Sequence, residues 1–361
     1  MKYISEFRSR EQVKKWVDKI HEISTREISL MEVCGGHTMA IQKFGIPAIL
    51  PENIKLKSGP GCPVCVSSRG YIDRAIALAR ITGNIITTYG DLIRVPGSSS
   101  TLEKERADGK DIRIVYSVLD AMQIARENKN NKIIFLGIGF ETTAPSSAVA
   151  VKSAFEEGLD NFFLYSAHKV MPPAMRALVD EGIRLDGYIG PGHVSAITGS
   201  FIYDFLPEKF GVGCVISGFE PIDILQSIYM LVRQVEDANP AVEIQYKRAV
   251  VPEGNTIAQA LMNEVFELRS DWWRGLDILP ESGMGIRTKY ASYDAENAFD
   301  VEVEEIHEDK RCICGEILKG IKDPRDCRLF GNLCNPENPV GACMVSHEGA
   351  CHAHYRYNYE A

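Results

Sequence analysis

Ten cysteines stand in this chain of 361 residues, and their grouping points to chemistry rather than packing. Six of them, Cys312, Cys314, Cys327, Cys334, Cys343 and Cys351, fall in the segment 311–361. Thiolates favour soft metals, and four of them complete either an Fe–S cluster or a zinc site. The segment has no CxxC pair and long gaps, unlike common zinc folds, which puts a [4Fe-4S] cluster ahead of zinc. Cys312, Cys327, Cys334 and Cys351 are the expected ligands. Cys314 and Cys343 are then the spare pair, able to form a disulfide under oxidation, although Cys312 and Cys314 are near-equal candidates for the first ligand.

A second thiol group is Gly59-Pro60-Gly61-Cys62-Pro63-Val64-Cys65. A CxxC beside β–α patterning reads as a redox pair or half a metal site. Ser67 or Ser68 is placed to cap the helix that follows. A third is Cys34 in Glu32-Val33-Cys34-Gly35-Gly36-His37-Thr38. A lone cysteine is weak evidence, but two glycines let the backbone turn tightly or a ligand come near. In open parallel sheets, sites lie beyond the carboxyl ends of the strands. Cys34, Cys62 and Cys65 are therefore expected to converge within the reach of a shared metal. Three polar residues also follow expected strands: Glu141 after Gly139-Phe140, His168 after Ser166-Ala167, and His193 after Gly190-Pro191-Gly192. They are expected to face the same cleft. No GxxxxGK[ST] loop is present and GIGFET falls short of GxGxxG, so no nucleotide site is expected. Cys214, within an apolar run, reads as core.

The elements that must position these groups are legible as alternation. Strands are predicted at 29–33, 84–89, 112–116, 132–138, 161–166, 186–189 and 213–217. Helices are predicted at 10–24, 69–81, 118–129, 145–157, 173–182 and 220–237. Helices between near-continuous apolar strands imply βαβ units and parallel sheets covered on both faces. The polar Asn128–Lys132 stretch suggests a boundary, giving α/β domains at 1–130 and 131–240 and a small irregular C-terminal domain at 241–361.

Composition is that of an ordinary globular protein, with 45% hydrophobic and 25% charged residues. A net charge of −9 disfavours nucleic acid and anionic membrane as partners. Residues 1–24 are charged throughout, and no apolar run is long enough to span a bilayer. A cytoplasmic location is expected, where ten cysteines speak for metal or redox work rather than a disulfide framework.

Together the motifs resemble the HypD family over nearly the whole chain. The resemblance rests on MEVCGGHT (31–38), GPGCPVC (59–65), GFETTAP (139–145), HKVMPPAM (168–175), GPGHVSAI (190–197), CGEILKG (314–320), DCRLFG (326–331) and GACMVSHEGAC (341–351). It implies two Rossmann-like domains, a third domain carrying a [4Fe-4S] cluster, and a role in maturing NiFe hydrogenase. On a complex with the small chaperone HypC, an iron ion would receive cyanide and CO to become Fe(CN)2CO, destined for the hydrogenase large subunit. Cyanide would come from HypE. Cys34, Cys62 and Cys65 match the family's central cysteines. The competing reading is a [4Fe-4S]-dependent thiol–disulfide oxidoreductase; a zinc-stabilised adaptor is a third.

Overall fold

The computed structural model describes residues 5–358. The chain opens on α1 (Arg10–Ile23), capped by Ser9, whose apolar stripe buries Ile20. It then lays down β1 (Ile28–Glu32), α2 (Gly35–Lys43), β2 (Ile54–Ser58), the short α3 (Pro63–Val66) and α4 (Arg69–Arg80). Ser68 is the cap of α4, its Oγ accepting from the Tyr71 amide at 3.0 Å. Next come β3 (Asn84–Thr88), α5 (Leu102–Ala107), β4 (Ile112–Ile114), α6 (Val118–Glu127), β5 (Lys132–Gly139), α7 (Ala144–Glu157), β6 (Phe162–His168) and α8 (Met171–Asp180). β7 (Gly187–Pro191), α9 (Gly192–Thr198), β8 (Gly213–Ser217), α10 (Pro221–Glu236) and β9 (Val242–Ile244) follow.

These strands form two sheets, each wholly parallel, in the orders β2-β1-β7-β8-β9 and β4-β3-β5-β6. The α/β class and the two Rossmann-like layers are as the alternation implies. The boundary near residue 131 is not where the layers divide. β3 and β5 are hydrogen-bonded neighbours across it, from Asn84↔Lys132 to Thr87↔Phe135. One layer is built from 84–168; the other joins 28–58 to 187–244. Periodicity reveals that a strand exists, but pairing depends on contacts distant in sequence. The edge strand β2, which alternates Ile54 and Leu56 with Lys55 and Lys57, was missed because it reads as a charged loop.

Both sheets have a switch point, where the crossovers from adjacent strands leave in opposite directions. In the first sheet it lies between β1 and β7, and in the second between β3 and β5. Crevices open at such points beyond the carboxyl ends of the strands.

The remainder wraps these layers. α11 (Thr256–Val265) leads into an antiparallel hairpin, β10 (Phe266–Trp273) and β11 (Asp277–Ile286), which packs on α8 and β6. Buried Trp273 and the ion pair Lys169–Asp271 (2.8 Å) fix it there. After α12 (Ala295–Ala298), the irregular tail carries three short helices, α13 (Cys314–Leu318), α14 (Ala342–Val345) and α15 (Ala350–Asn358). The 241–361 region is thus divided: β9 completes the first sheet, and only the tail stands as a cysteine-rich unit. The largest apolar core runs from the two sheets into this tail, and Cys214 is fully buried in it. Among the described residues, no helix is long and apolar enough to cross a membrane.

Candidate functional site

β1 and β2 are parallel neighbours, so the loops that leave their carboxyl ends run side by side. The Gly59 amide donates to Glu32 O (2.8 Å), and the Gly35 amide donates to Gly61 O (2.9 Å). Gly61 makes this approach possible, since a Cβ there would lie 2.1 Å from the Cys34 nitrogen. The two cysteine loops are adjacent, as expected from their position on one sheet edge.

Cys34 sits in extended backbone as the N-cap of α2. Its amide donates to Glu32 Oε2 at 3.0 Å, and the Thr38 hydroxyl donates to Glu32 Oε1 at 2.5 Å. Glu32 is buried, which pushes its carboxyl up to about 7. Cys34 as a residue is partly buried, with its thiol walled by protein atoms. Desolvation first, and then the nearby Glu348 carboxyl, push its thiol up to about 12. At neutral pH it is a protonated thiol in an acidic setting.

The cleft in front of Cys34 has a volume of about 370 Å³. Both switch points open into it. The first sheet contributes Cys34 after β1 and His193 after β7; the second contributes Asp91 after β3 and Phe140, Thr142 and Thr143 after β5. The tail closes one side with Ser346 and Glu348, and the Ser346 hydroxyl donates to Asp91 Oδ2 at 2.9 Å. Desolvation, then Asp91, raise the Glu348 carboxyl. His193 stacks on Phe219 (4.0 Å between ring centres), and buried His37 stacks on the same ring (4.5 Å). His37 Nε2 donates to Gly218 O at 2.9 Å, and burial lowers its pKa to about 4, so this ring stays neutral.

Cys62 and Cys65 do not share the cleft with Cys34. They form a disulfide with Cα atoms 5.2 Å apart, and both are buried. The cleft is walled by their neighbours Gly61, Pro63 and Val64. Cys65 Sγ instead lies 4.0 Å from Ala342 O, on the tail side. The expected three-sulfur centre is therefore not assembled here. As the side chains stand, no three His, Cys, Asp or Glu among the described residues close round one point as a metal's ligands do, in the cleft or in the tail.

Of the three polar residues expected to converge, only His193 faces the cleft. Glu141 turns away. Its Oε1 accepts from the Met171 amide (3.0 Å), Oε2 is buried without a partner, and burial raises the carboxyl to about 7. It lines a separate cavity of about 550 Å³ beside α8 and the hairpin. His168 is buried between the hydroxyls of Ser147 (3.2 Å) and Ser166 (3.1 Å), and desolvation lowers its pKa to about 3. Position at a strand's end sets the edge of the sheet; which face the side chain takes is set by alternation and the turn that follows.

In the tail, five cysteines line one narrow gap: Cys312, Cys314, Cys327, Cys334 and Cys351, with Ile317, Leu329, Phe330 and Met344. The gap has a volume of about 10 Å³. Hydrogen bonding to Cys314, then burial, hold the Cys312 and Cys351 thiols far above their ordinary range. Cys314, expected as a spare, is thus central to the group. Cys343 is fully buried in α14 and does not line the gap; it and Cys314 are both free thiols. The lining thiols face no carboxylate or imidazole across the gap. That donor set fits a soft metal or an Fe–S cluster.

Sequence reading missed Glu32, His37, Asp91, Phe219, Ser346 and Glu348. Glu32 and His37 lie within the MEVCGGHT motif, and Ser346 and Glu348 within GACMVSHEGAC, so closer attention to those motifs could have found four. Asp91 and Phe219 carried no sequence signal.

The fold and site define an α/β protein with paired switch-point crevices, an acidic cleft headed by one thiol, and a thiol-rich tail. Residues 11–358 match the family described as "HypD: Hydrogenase formation hypA family". The chain is 46% identical to the hydrogenase maturation factor HypD of Azotobacter vinelandii, covering 99% of this chain and 97% of that protein. It is 44% identical to the HypD factor of Cupriavidus necator (99% and 97%) and 45% identical to a putative hydrogenase expression/formation protein of Methanocaldococcus jannaschii (96% and 98%). The chain belongs to the HypD family of hydrogenase maturation factors.

Proposed function

We propose that the Cys34 cleft holds an iron ion while cyanide and CO are added to it, yielding the Fe(CN)2CO group of NiFe hydrogenase. The observation that carries this is the cleft's charge: a neutral thiol beside Asp91 and Glu348, with Glu32 behind its backbone, is a site completed by a cation. Iron is the cargo. Its arrival favours loss of the Cys34 proton, since a nearby divalent charge stabilises the thiolate. The two carboxylates balance the remaining positive charge. Thr142, from the second sheet, and His193, from the first, line the same cleft and are the side chains that would donate hydrogen bonds toward cyanide nitrogen.

Cys34 keeps partial exposure at this cleft, leaving access for a HypC-type chaperone to share the iron and for a HypE-type donor to deliver cyanide; the hydrogenase large subunit would be served indirectly. Cys312, Cys314, Cys327, Cys334 and Cys351 supply the candidates for holding a [4Fe-4S] cluster, with Cys314 now a stronger choice beside Cys312. Such a cluster supplies single electrons when bound. The chain's own residues then matter as a path: the buried Cys62–Cys65 disulfide lies between the cleft loops and the tail, with α3 against α14 and its Cys343. That placement favours a second reading, in which Cys62–Cys65 is a redox pair served by the tail.

The test is infrared spectroscopy of the protein purified anaerobically with its HypC-type partner. Cyanide and CO stretching bands should be present in wild type and absent in Cys34→Ala. Bands of full intensity in that variant would remove Cys34 from the iron site.

A further inference from the structure

We propose that Arg274, in the turn of the β10–β11 hairpin, is the positioning residue that holds the CxxC segment in its reducible conformation against the tail thiols. This inference rests on the redox reading of Cys62–Cys65 above.

α3 has only four residues, too few to satisfy its own terminal carbonyls. Arg274 satisfies three in succession. Its backbone amide donates to Val66 O (2.9 Å), Nε to Cys65 O (3.0 Å) and Nη2 to Ser67 O (3.1 Å). Nη1 is held by Glu308 Oε1 at 2.7 Å. The guanidinium is 11% exposed, and Trp272 lies beneath it at 5.6 Å. Arg274 lines one cavity with the tail thiols Cys312 and Cys314, and Cys314 and Cys343 lie near enough to act on its charge. The turn is wedged directly onto the tail: a Cβ on Gly275 would lie 2.6 Å from Gly315 O. One side chain thus spans both sulfur groups, and it comes from neither sheet.

The physical consequence differs between redox states. In the disulfide form, the covalent bond already fixes Cys62 against Cys65, and the Arg274 fork is partly redundant. In the dithiol form that covalent restraint is gone, and the fork adds to the packing of Val64 and Val66 in holding α3. Arg274 therefore stabilises the reduced form more than the oxidised one. With dithiothreitol as reductant, the Cys62–Cys65 bond breaks as the ring disulfide of dithiothreitol forms. Two electrons and two protons pass from its thiols to the cysteines.

The experiment equilibrates the full-length chain anaerobically against graded ratios of reduced to oxidised dithiothreitol. Free thiols are trapped with a maleimide, and the Cys62–Cys65 peptide is quantified by mass spectrometry. In Arg274→Gln, the reduced-to-oxidised ratio at a fixed poise should fall about tenfold, a shift of about 30 mV to more negative potential. Glu308→Gln, at a 43% exposed carboxylate, leaves the core untouched and should lower the ratio about two- to threefold by loosening the fork. It carries the test if Arg274→Gln does not fold. Arg274→Lys, which keeps the charge but not the fork, should recover only part of the loss. A purely structural role would lower thermal stability while leaving the midpoint unchanged. Midpoints equal to wild type in the folded variants would overturn the inference. If wild-type Cys62–Cys65 does not titrate reversibly at all, the redox reading itself fails instead.

Discussion

Replacing Glu141 by Gln isolates the cost of burying an acid that the cleft does not use. The carboxyl is 4% exposed, Oε1 is engaged by the Met171 amide, and Oε2 has no partner. Burial carries its pKa from an ordinary 4.5 to about 7, which corresponds to about 3 kcal/mol between the two protonation states. Because the folded value lies above the unfolded one, the proton is held more tightly in the native protein. The stability it brings is complete below pH 4.5 and is lost as pH rises to about 7. Gln retains a carbonyl for the Met171 amide and does not titrate. The variant's stability relative to wild type should therefore improve by about 3 kcal/mol between pH 4.5 and pH 8. Urea denaturation of both proteins at pH 4.5, 6 and 8 measures this. Glu32, also raised to about 7, cancels in the difference because both proteins retain it. Parallel pH profiles for wild type and variant would refute the reasoning, showing that Glu141 is solvated or paired in solution.

Further outcomes follow from the placement of individual residues. Gly61→Ala drives a Cβ into the Cys34 backbone at 2.1 Å, so the urea midpoint should fall by the equivalent of about 2–3 kcal/mol and iron retention in the cleft should be lost. Wild-type behaviour in both assays would contradict the packed-loop geometry. His193→Ala should reduce iron retention with little change in melting temperature. His168→Ala should do the reverse, because its ring lies buried between Ser147 and Ser166. Anaerobic absorption near 400 nm, with iron and sulfide analysis, should be lost in Cys327→Ala and kept in Cys343→Ser, which does not line the tail gap. A full cluster complement in Cys327→Ala would exclude that ligand.

Much of this fold was legible because near-continuous apolar strands and amphipathic helices announce themselves in local pattern. β8 falls on the predicted 213–217, and the ends of α1, α4 and α10 lie within a residue of their predicted limits. The hairpin β10–β11 was not legible. Its strands mix Glu267, Arg269 and Asp271 with apolar residues, and one face is exposed, so neither period dominates. The glycines of MEVCGGHT pointed to a turn, and the structure instead starts α2 there. At the site, Cys34 and His193 were found because they follow strands directly, whereas Asp91 carries no motif.

By itself, the sequence determined the class of fold, the family, and the three thiol groups, since these depend on residue type and local spacing. Tertiary structure alone decided which groups meet. Strands from 28–58 and 187–244 share a sheet, so β1 and β7 frame one switch point and bring Cys34 to His193 across a separation of 159 residues in the chain. Pairing order is a property of long-range contacts, and no local period encodes it. Side-chain direction is decided just as late. Glu141 and Thr142 are adjacent in sequence, yet the turn after β5 sends one toward a separate cavity beside α8 and the other into the cleft.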